Sequence, residues 1–374
     1  MVFGALLAAL SAGYSLLVAA ALRMRLGSSA ARRDTTMVPV TVLKPLCGDE
    51  HELYENLRSF CVQEHPHIQI IFGVSDAADP AAQVVQRLQR EFPDLDLCLV
   101  VDPTTHGSNR KVGNLINMAS KARHEYLLLA DSDIRVGRDY VSRVVRPLLD
   151  PAVGIVTCLY RARPGPGLWS ECGAMFIDEW FIPSVRVATV LGSQSFTSGA
   201  TIGLRRDVLA SIGGFPAVAD QLADDFKLGE QVRSRGLRTV VSDVSVETTV
   251  DEPTLGCLAR HQVRWLRTVR SVQPLGYAGS AITFSLPVAA LGAALAGGTP
   301  LALSLLGVAA AGRLALHMMG PGRRRGTLWR KSWVIPLADV LLFGLWCWSF
   351  FGPEVTWRRE RYRVTRDGSL RPVA

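Results

Sequence analysis

The sequence predicts an α/β domain on a mainly parallel central sheet, flanked by apolar helices near both ends of the chain. Three observations carry this. Between residues 38 and 130, short apolar runs alternate with helical patterns, as strands buried on both faces and joined by crossover helices do. A charge-free run opens the chain at residues 2–22, and a second apolar block fills residues 277–352. Polar and acidic residues recur just past the strands, where sheets of this kind bind ligands.

Taken in order, VFGALLAALSAGYSLLVAAAL (2–22) is long enough as a helix to cross a hydrocarbon core of about 30 Å. Residues 1–23 therefore read as a membrane anchor. A cleaved signal peptide is the competing reading, but no basic residue precedes the run, which also exceeds an h-region of roughly 7–15 residues. Arg23, Arg25, Arg32 and Arg33 follow, so the positive-inside rule puts residue 23 onward in the cytosol. Residues 36–270 are expected to form one domain, with strands at 38–43, 68–74, 95–101 and 126–130 and helices at 49–62, 80–91 and 110–121.

The second apolar block, 277–352, opens with two arms around Gly297, Gly298, Thr299 and Pro300, which predict a helical hairpin. Arg323, Arg324, Arg325, Arg330 and Lys331 agree with a return to the cytosol. The last apolar run, 333–352, carries Pro336 and Asp339 and reads as a span or as a re-entrant or interfacial segment. A span would put the basic tail, 353–374, with Arg358, Arg359, Arg361, Arg363 and Arg366, outside, against the charge bias.

Composition narrows the chemistry. The net charge of +8 does not require nucleic acid, because much of the arginine adjoins apolar segments, where anionic lipid headgroups are the simpler partner. Seven cysteines at 47, 61, 98, 158, 172, 257 and 347 form no CxxC pair, which suits reduced thiols and no zinc framework.

The sharpest motif is Asp131-Ser132-Asp133, immediately after the strand at 126–130. In extended geometry both carboxylates project the same way, and hard oxygen ligands suit Mg2+ or Mn2+ holding a diphosphate. A solvated Asp-rich turn is the bland alternative. Asp76, past the second strand, is placed to accept hydrogen bonds from a base or ribose; for capping the next helix, Asp79 before Pro80 is the better candidate. Lys44 and Lys111 are cations suited to phosphate oxygens, or else ordinary surface charges, and Gly107, Ser108 and Asn109 offer backbone donors.

Asp224 and Asp225 open a helix whose dipole favours them, and Asp225 is assigned as the base that takes an alcohol proton. In the run from His261 to Trp265, Arg264 suits a phosphate and Trp265 an acceptor wall, unless the helix is a basic amphipathic one on the membrane surface. Leu168–Val190 clusters aromatic side chains around Asp178 and Glu179; it reads as a lipid guide or as the core of a long helix. Ser198, Gly199 and Ala200 are expected to form a tight loop near the acceptor.

Together, VTVLKPLCGDE, HGSNRKVGNLINM, ADSDIRV, MFIDEWFIPSV and LRTVRSVQPLGYA resemble the ceramide glucosyltransferase type of glycosyltransferase, and within it the bacterial hopanoid-biosynthesis transferases. The resemblance covers nearly the whole chain. It implies a GT-A-like fold, a bacterial inner-membrane location with the catalytic domain in the cytosol, a UDP-sugar donor and a lipid acceptor. The family reaction it implies moves N-acetylglucosamine from UDP-N-acetylglucosamine to bacteriohopanetetrol.

Carried over by position, Asp76 matches the nucleotide aspartate, Asp131 and Asp133 the metal and diphosphate pair, and Asp225 the base. Lys44 and Lys111 join the donor side; Asp224, His261, Arg264 and Trp265 join the acceptor or product side. Arg264 and Trp265 end the (Q/R)xxRW motif, whose first position here is His261. The expected chemistry is inverting and metal-dependent. Ceramide glucosylation, processive polysaccharide synthesis and a UDP-sugar-sensing membrane protein are the alternatives.

Overall fold

Eight strands form one sheet in the order β3-β2-β1-β4-β7-β6-β8-β5: β1 Val40–Pro45, β2 Ile68–Val74, β3 Asp96–Val101, β4 Tyr126–Leu129, β5 Ile134–Arg135, β6 Val153–Pro164, β7 Ile202–Arg205 and β8 Arg238–Val250. The computed structural model describes residues 1–23, 37–193, 196–319, 331–357, 360–365 and 367–373. Strands β3, β2, β1 and β4 run parallel to their neighbours, with helices Leu53–Cys61, Pro80–Glu91 and Arg110–Ala119 between them. The expected elements of this half are therefore present within a few residues. β7 then reverses direction against β4, β6 pairs antiparallel with β7, and β5 with β8.

Burial explains why the parallel half is apolar on both faces. Leu43, Ile71, Leu127 and Leu129 pack with Val112, Leu115 and Met118 of the crossover helix in one core cluster. Gly73 leaves room for that helix: a Cβ on it would meet the Asn114 side chain at 2.1 Å and Met118 Sδ at 2.4 Å, so a larger residue would displace these two side chains. Asn109 starts that helix by accepting the Val112 N–H with its side chain, a cap that satisfies an otherwise orphaned donor.

The chain divides into two compact units. One comprises residues 27–163, 194–249 and 362–374, the other residues 1–26, 164–193 and 250–361. The stretch expected as one domain, 36–270, is thus shared between them. Residues 164–193 and 250–270 group with the apolar helices because Cys172, Met175 and Leu258 share a cluster with Val334, Ile335 and Ala338. Part of the basic tail is paired as strands. Tyr362–Val364 pairs antiparallel with Leu370–Pro372, the Leu370 N–H donates to Asp220 O at 2.7 Å, and Gln221 Nε2 donates to Ser369 Oγ at 3.1 Å.

In the helical unit, Val2–Leu22 and Pro300–Met318 are the two helices, among the described residues, long and apolar enough to cross a membrane. The first arm of the expected hairpin is broken: Pro274–Thr283 and Ser285–Leu295 meet at 74°. Val334–Ser349 is a 16-residue apolar helix. Leu168–Val190 is helical throughout but carries a π-helical segment at Ile177–Phe181 between two α-helical stretches. Arg25, Arg32, Arg33, Arg323, Arg324, Arg325, Arg330, Arg358, Arg359 and Arg366 lie outside the described residues, as does the side chain of Arg23.

Candidate functional site

The carboxyl ends of β1, β2 and β4 bring Lys44, Asp76 and Asp131 to one edge of the sheet. The Asp131-Ser132-Asp133 motif is not extended, as expected, but turned: the Ile134 N–H bonds back to Asp131 O at 3.3 Å. Its two carboxylates consequently have different partners. Asp131 Oδ1 lies 2.7 Å from Lys111 Nζ, whereas Asp133 Oδ2 accepts the Thr248 hydroxyl at 2.7 Å. Burial, then repulsion from Asp131, pushes the Asp133 carboxyl up to about 6.

Lys44 is fully buried, which excludes the surface-charge reading. Its ammonium donates to the main-chain carbonyl of Asp131 and sits 4.1 Å from the Phe60 ring centroid. Desolvation pulls it down to about 7, against the attraction of Asp133 and Asp131. Lys44 thus holds the turn from beneath, and reaching a phosphate oxygen would take it off that carbonyl. Lys111 is the more accessible cation. It bridges Asp131 and, at 3.5 Å, Asp224 Oδ2; burial opposes its charge, but these carboxylates raise its pKa overall.

Asp224 and Asp225 begin the helix Asp224–Ser234. Asp225 Oδ1 accepts its own helix's Phe226 N–H at 2.7 Å, and Oδ2 faces Gly199. A methyl placed on Gly199 would lie 3.3 Å from Asp225 Oδ2 and 3.5 Å from both Asp131 Oδ2 and Lys111 Nζ. These three side chains therefore converge on one point, and the loop expected at 198–200 forms its floor, with Ser198 held by Thr157. Burial and the neighbouring Asp224 push the Asp225 carboxyl up to about 7, against the pull of Lys111.

Two supporting side chains are missed in the sequence, where Asn109 is read for its backbone donor alone and Thr248 is not singled out. Asn109 ties the site together by donating to Gln221 O at 2.8 Å and to Asp224 Oδ1 at 3.4 Å, and Thr248 orients Asp133. A lone Asn or Thr resembles countless caps and strand residues; only the fold reveals these partners. Conversely, the expected backbone donors are engaged within the protein: Ser108 N–H bonds to Asp220 Oδ1 and Asn109 N–H to Ala219 O. Asp76 is exposed at the end of β2 and accepts the Ala78 N–H, while Asp79 does the helix capping.

Metal fit follows from the charges. Asp131, Asp133, Asp224 and Asp225 outnumber Lys44 and Lys111 by two, an excess a divalent cation matches. Among the described residues no three candidate ligand side chains converge at metal-binding spacing. A divalent cation there would be held by one or two carboxylates and completed by substrate phosphates and water.

On the helical unit, Leu255–Val272 presents His261, Arg264 and Trp265. His261 Nδ1 pairs with Glu252 Oε1 at 2.6 Å, Arg264 lies over the Trp357 ring, and Trp265 packs edge-on with Phe176, Phe181 and His261. The aromatic cluster expected along Leu168–Val190 therefore includes Trp265.

Residues 3–370 match the family model described as Glycosyl transferase family 21. The chain belongs to glycosyl transferase family 21. Among curated relatives, this family 21 chain is 24% identical over 215 residues to ceramide glucosyltransferase 3 of Caenorhabditis elegans, covering 56% of this chain and 46% of the relative. It is 24% identical over 246 residues to an N-acetylglucosaminyltransferase of Rhizobium leguminosarum bv. viciae, covering 63% and 57%. The chain spans about half the length of the curated relatives it matches. Its structure resembles that of the mannosyltransferase PcManGT from Pyrobaculum calidifontis, solved in complex with GDP-Man and Mn2+, with a TM-score of 0.57 at 20% identity over 94% of this chain and 98% of that one. The family 21 chain thus has a GT-A-like fold.

Proposed function

We propose that the chain transfers a sugar from a UDP-sugar to a membrane lipid alcohol with inversion. The observation that carries this is the convergence of Asp131, Lys111 and Asp225 on Gly199 at the carboxyl edge of the sheet. Asp76 would bind the nucleoside, and Lys111 would meet the diphosphate once it leaves Asp131. Asp131 and Asp133 would hold Mg2+ or Mn2+, which supplies charge neutralisation to the departing diphosphate. The acceptor oxygen attacks the anomeric carbon opposite the leaving group; its proton passes to Asp225 Oδ2, and the bond from that carbon to the β-phosphate oxygen breaks.

The finer reading is N-acetylglucosamine transfer to bacteriohopanetetrol. It is supported by the motif resemblance to the hopanoid-biosynthesis transferases and by the relative named an N-acetylglucosaminyltransferase. Ceramide glucosylation is the second reading, favoured by the relatives of that name. The test incubates membranes carrying the chain with UDP-[14C]N-acetylglucosamine or UDP-[14C]glucose, extracts lipids and weighs the product. The expected result is a labelled hopanoid carrying an acetylhexosamine; a labelled hexosylceramide favours the second reading, and label in polymer or nowhere removes both.

The same proposal fixes topology. Residues 194–249 and 362–374 belong to one unit, so the chain between them would cross the bilayer an even number of times. Two arms around Gly297–Gly298 supply two crossings, leaving Val334–Ser349 on the cytosolic side or within one leaflet, which keeps the basic tail inside. An epitope tag inserted between Gly297 and Gly298 is expected to be detectable from outside intact spheroplasts, and one after Ala374 only after permeabilisation. Detection of both from the same side would overturn this arrangement.

A further inference from the structure

Arg313 lies buried inside the apolar helical unit, on the candidate spanning helix Pro300–Met318. Its Nε and Nη2 bond to Asp339 at 2.9 Å, and Nη1 bonds to Glu179 Oε2 at 2.7 Å. Glu179 Oε1 also pairs with His317 Nδ1 at 2.8 Å. Ionisable groups among spanning helices are costly and mark function more often than stability. Glu179 moreover sits on the π-helical segment, a distortion frequent at functional sites.

Beside this network lies a cavity of about 30 Å3, lined by Glu179, Trp180, Thr283, Ser285, Arg313 and Asp339, among others. That volume admits two or three water-sized groups. Trp180 forms a rigid wall, stacked on Phe176 at 4.8 Å and Phe284 at 5.1 Å, with its indole N–H on Thr283 Oγ1 at 2.8 Å. Ser285 is 6% exposed and lines the cavity, yet its hydroxyl has no hydrogen-bond partner among the described residues. A hydroxyl on the cavity wall can donate to or accept from a ligand or water there.

The charge balance selects the ligand. Two carboxylates, of Glu179 and Asp339, face the single Arg313 guanidinium, so acceptor groups predominate on this wall. A phosphate-bearing head would be repelled, whereas alcohol O–H groups find carboxylate lone pairs and the free Ser285 hydroxyl to bond.

We propose that this cavity binds the terminal hydroxyls of a neutral polyol lipid from the bilayer, the class of the acceptor. This rests on the lipid-acceptor reading above. Thr283 and Trp180 shape the site, Asp339 accepts from the hydroxyls, Ser285 donates to or accepts from them, and Arg313 holds both carboxylates in place.

The test uses the full chain in nanodiscs, photolabelled with a diazirine-bearing monoacylglycerol and mapped by peptide mass spectrometry. Label is expected in the peptides carrying Trp180 and Thr283–Ser285, displaced by excess monooleoylglycerol and not by dioleoyl phosphatidic acid. Ser285→Leu, which fills the cavity, is expected to cut labelling about ten-fold, the equivalent of one good hydrogen-bonded contact. Should that variant misfold, Ser285→Ala is expected to cut it about three-fold on the same physical ground. UDP binding is unchanged in either. Labelling unaffected by Ser285→Ala, or displaced equally by the phosphatidic acid, would mean a structural staple only and overturn the proposal. Radiolabelled glycolipid without cavity labelling sinks this inference alone; cavity labelling without any glycolipid sinks the transferase reading and leaves a lipid site.

Discussion

Asp225→Asn is expected to lower kcat by about 10²- to 10⁴-fold, the range that removal of a positioned general base produces, while UDP-sugar affinity changes little. The geometry isolates the effect. Asn keeps the Oδ1 contact to the Phe226 N–H and the side-chain volume, but it cannot take a proton through the atom that faces Gly199. A pH profile supplies an independent readout. Asp225 is held up to about 7 by burial and by Asp224, and the base must be deprotonated to act. The competent fraction therefore falls about ten-fold for each pH unit below that value, since the acid form dominates there. The wild-type kcat/KM, which reports the free protein, is expected to show this acid limb near pH 7, and the residual activity of Asp225→Asn is expected to lack it. Full turnover by the variant, or a wild-type profile flat from pH 5 to 8, would take the base role away from Asp225.

Asp131→Asn is expected to cost about 10²- to 10³-fold in kcat/KM, comparable to losing a preorganised charge-stabilising group, and to weaken Mn2+ binding measured by electron paramagnetic resonance in the presence of UDP. The reason is local. Asp131 is the carboxylate closest to Lys111, at 2.7 Å, and shares its side of the site with Asp225 across Gly199. Removing its charge leaves Asp133, already engaged by Thr248, as the remaining carboxylate of the pair. It also relieves the repulsion that helps raise Asp133. Mn2+ binding equal to wild type would show that Asp131 is not a ligand.

These expectations draw unequally on sequence and structure. Hydrophobic runs of strand length are one-dimensional signals, so the parallel half of the sheet and the positions of Asp76, Asp131 and Asp225 after strands or at a helix start were legible in the chain itself. The long apolar runs were legible for the same reason: a charge-free stretch of spanning length has few alternatives. Lys44 shows the limit. VLKPL reads equally well as a strand ending in a surface lysine or a phosphate-binding one, and only the fold buries it beneath the Asp131 carbonyl.

Read along the chain alone, the element order, the alternation of strands and helices, the apolar helix of spanning length at residues 2–22 and the set of residue types able to serve a diphosphate and an alcohol are all visible. Tertiary structure alone decided which of those residues meet. Gly199 lies between Asp131, Lys111 and Asp225 across gaps of tens of residues. Arg313 joins Glu179 to Asp339, and residues 362–373 return to Asp220 and Gln221. The physical reason is that periodicity encodes which face of an element is buried, whereas long-range partners depend on how buried faces pack and on which polar groups burial leaves to be satisfied.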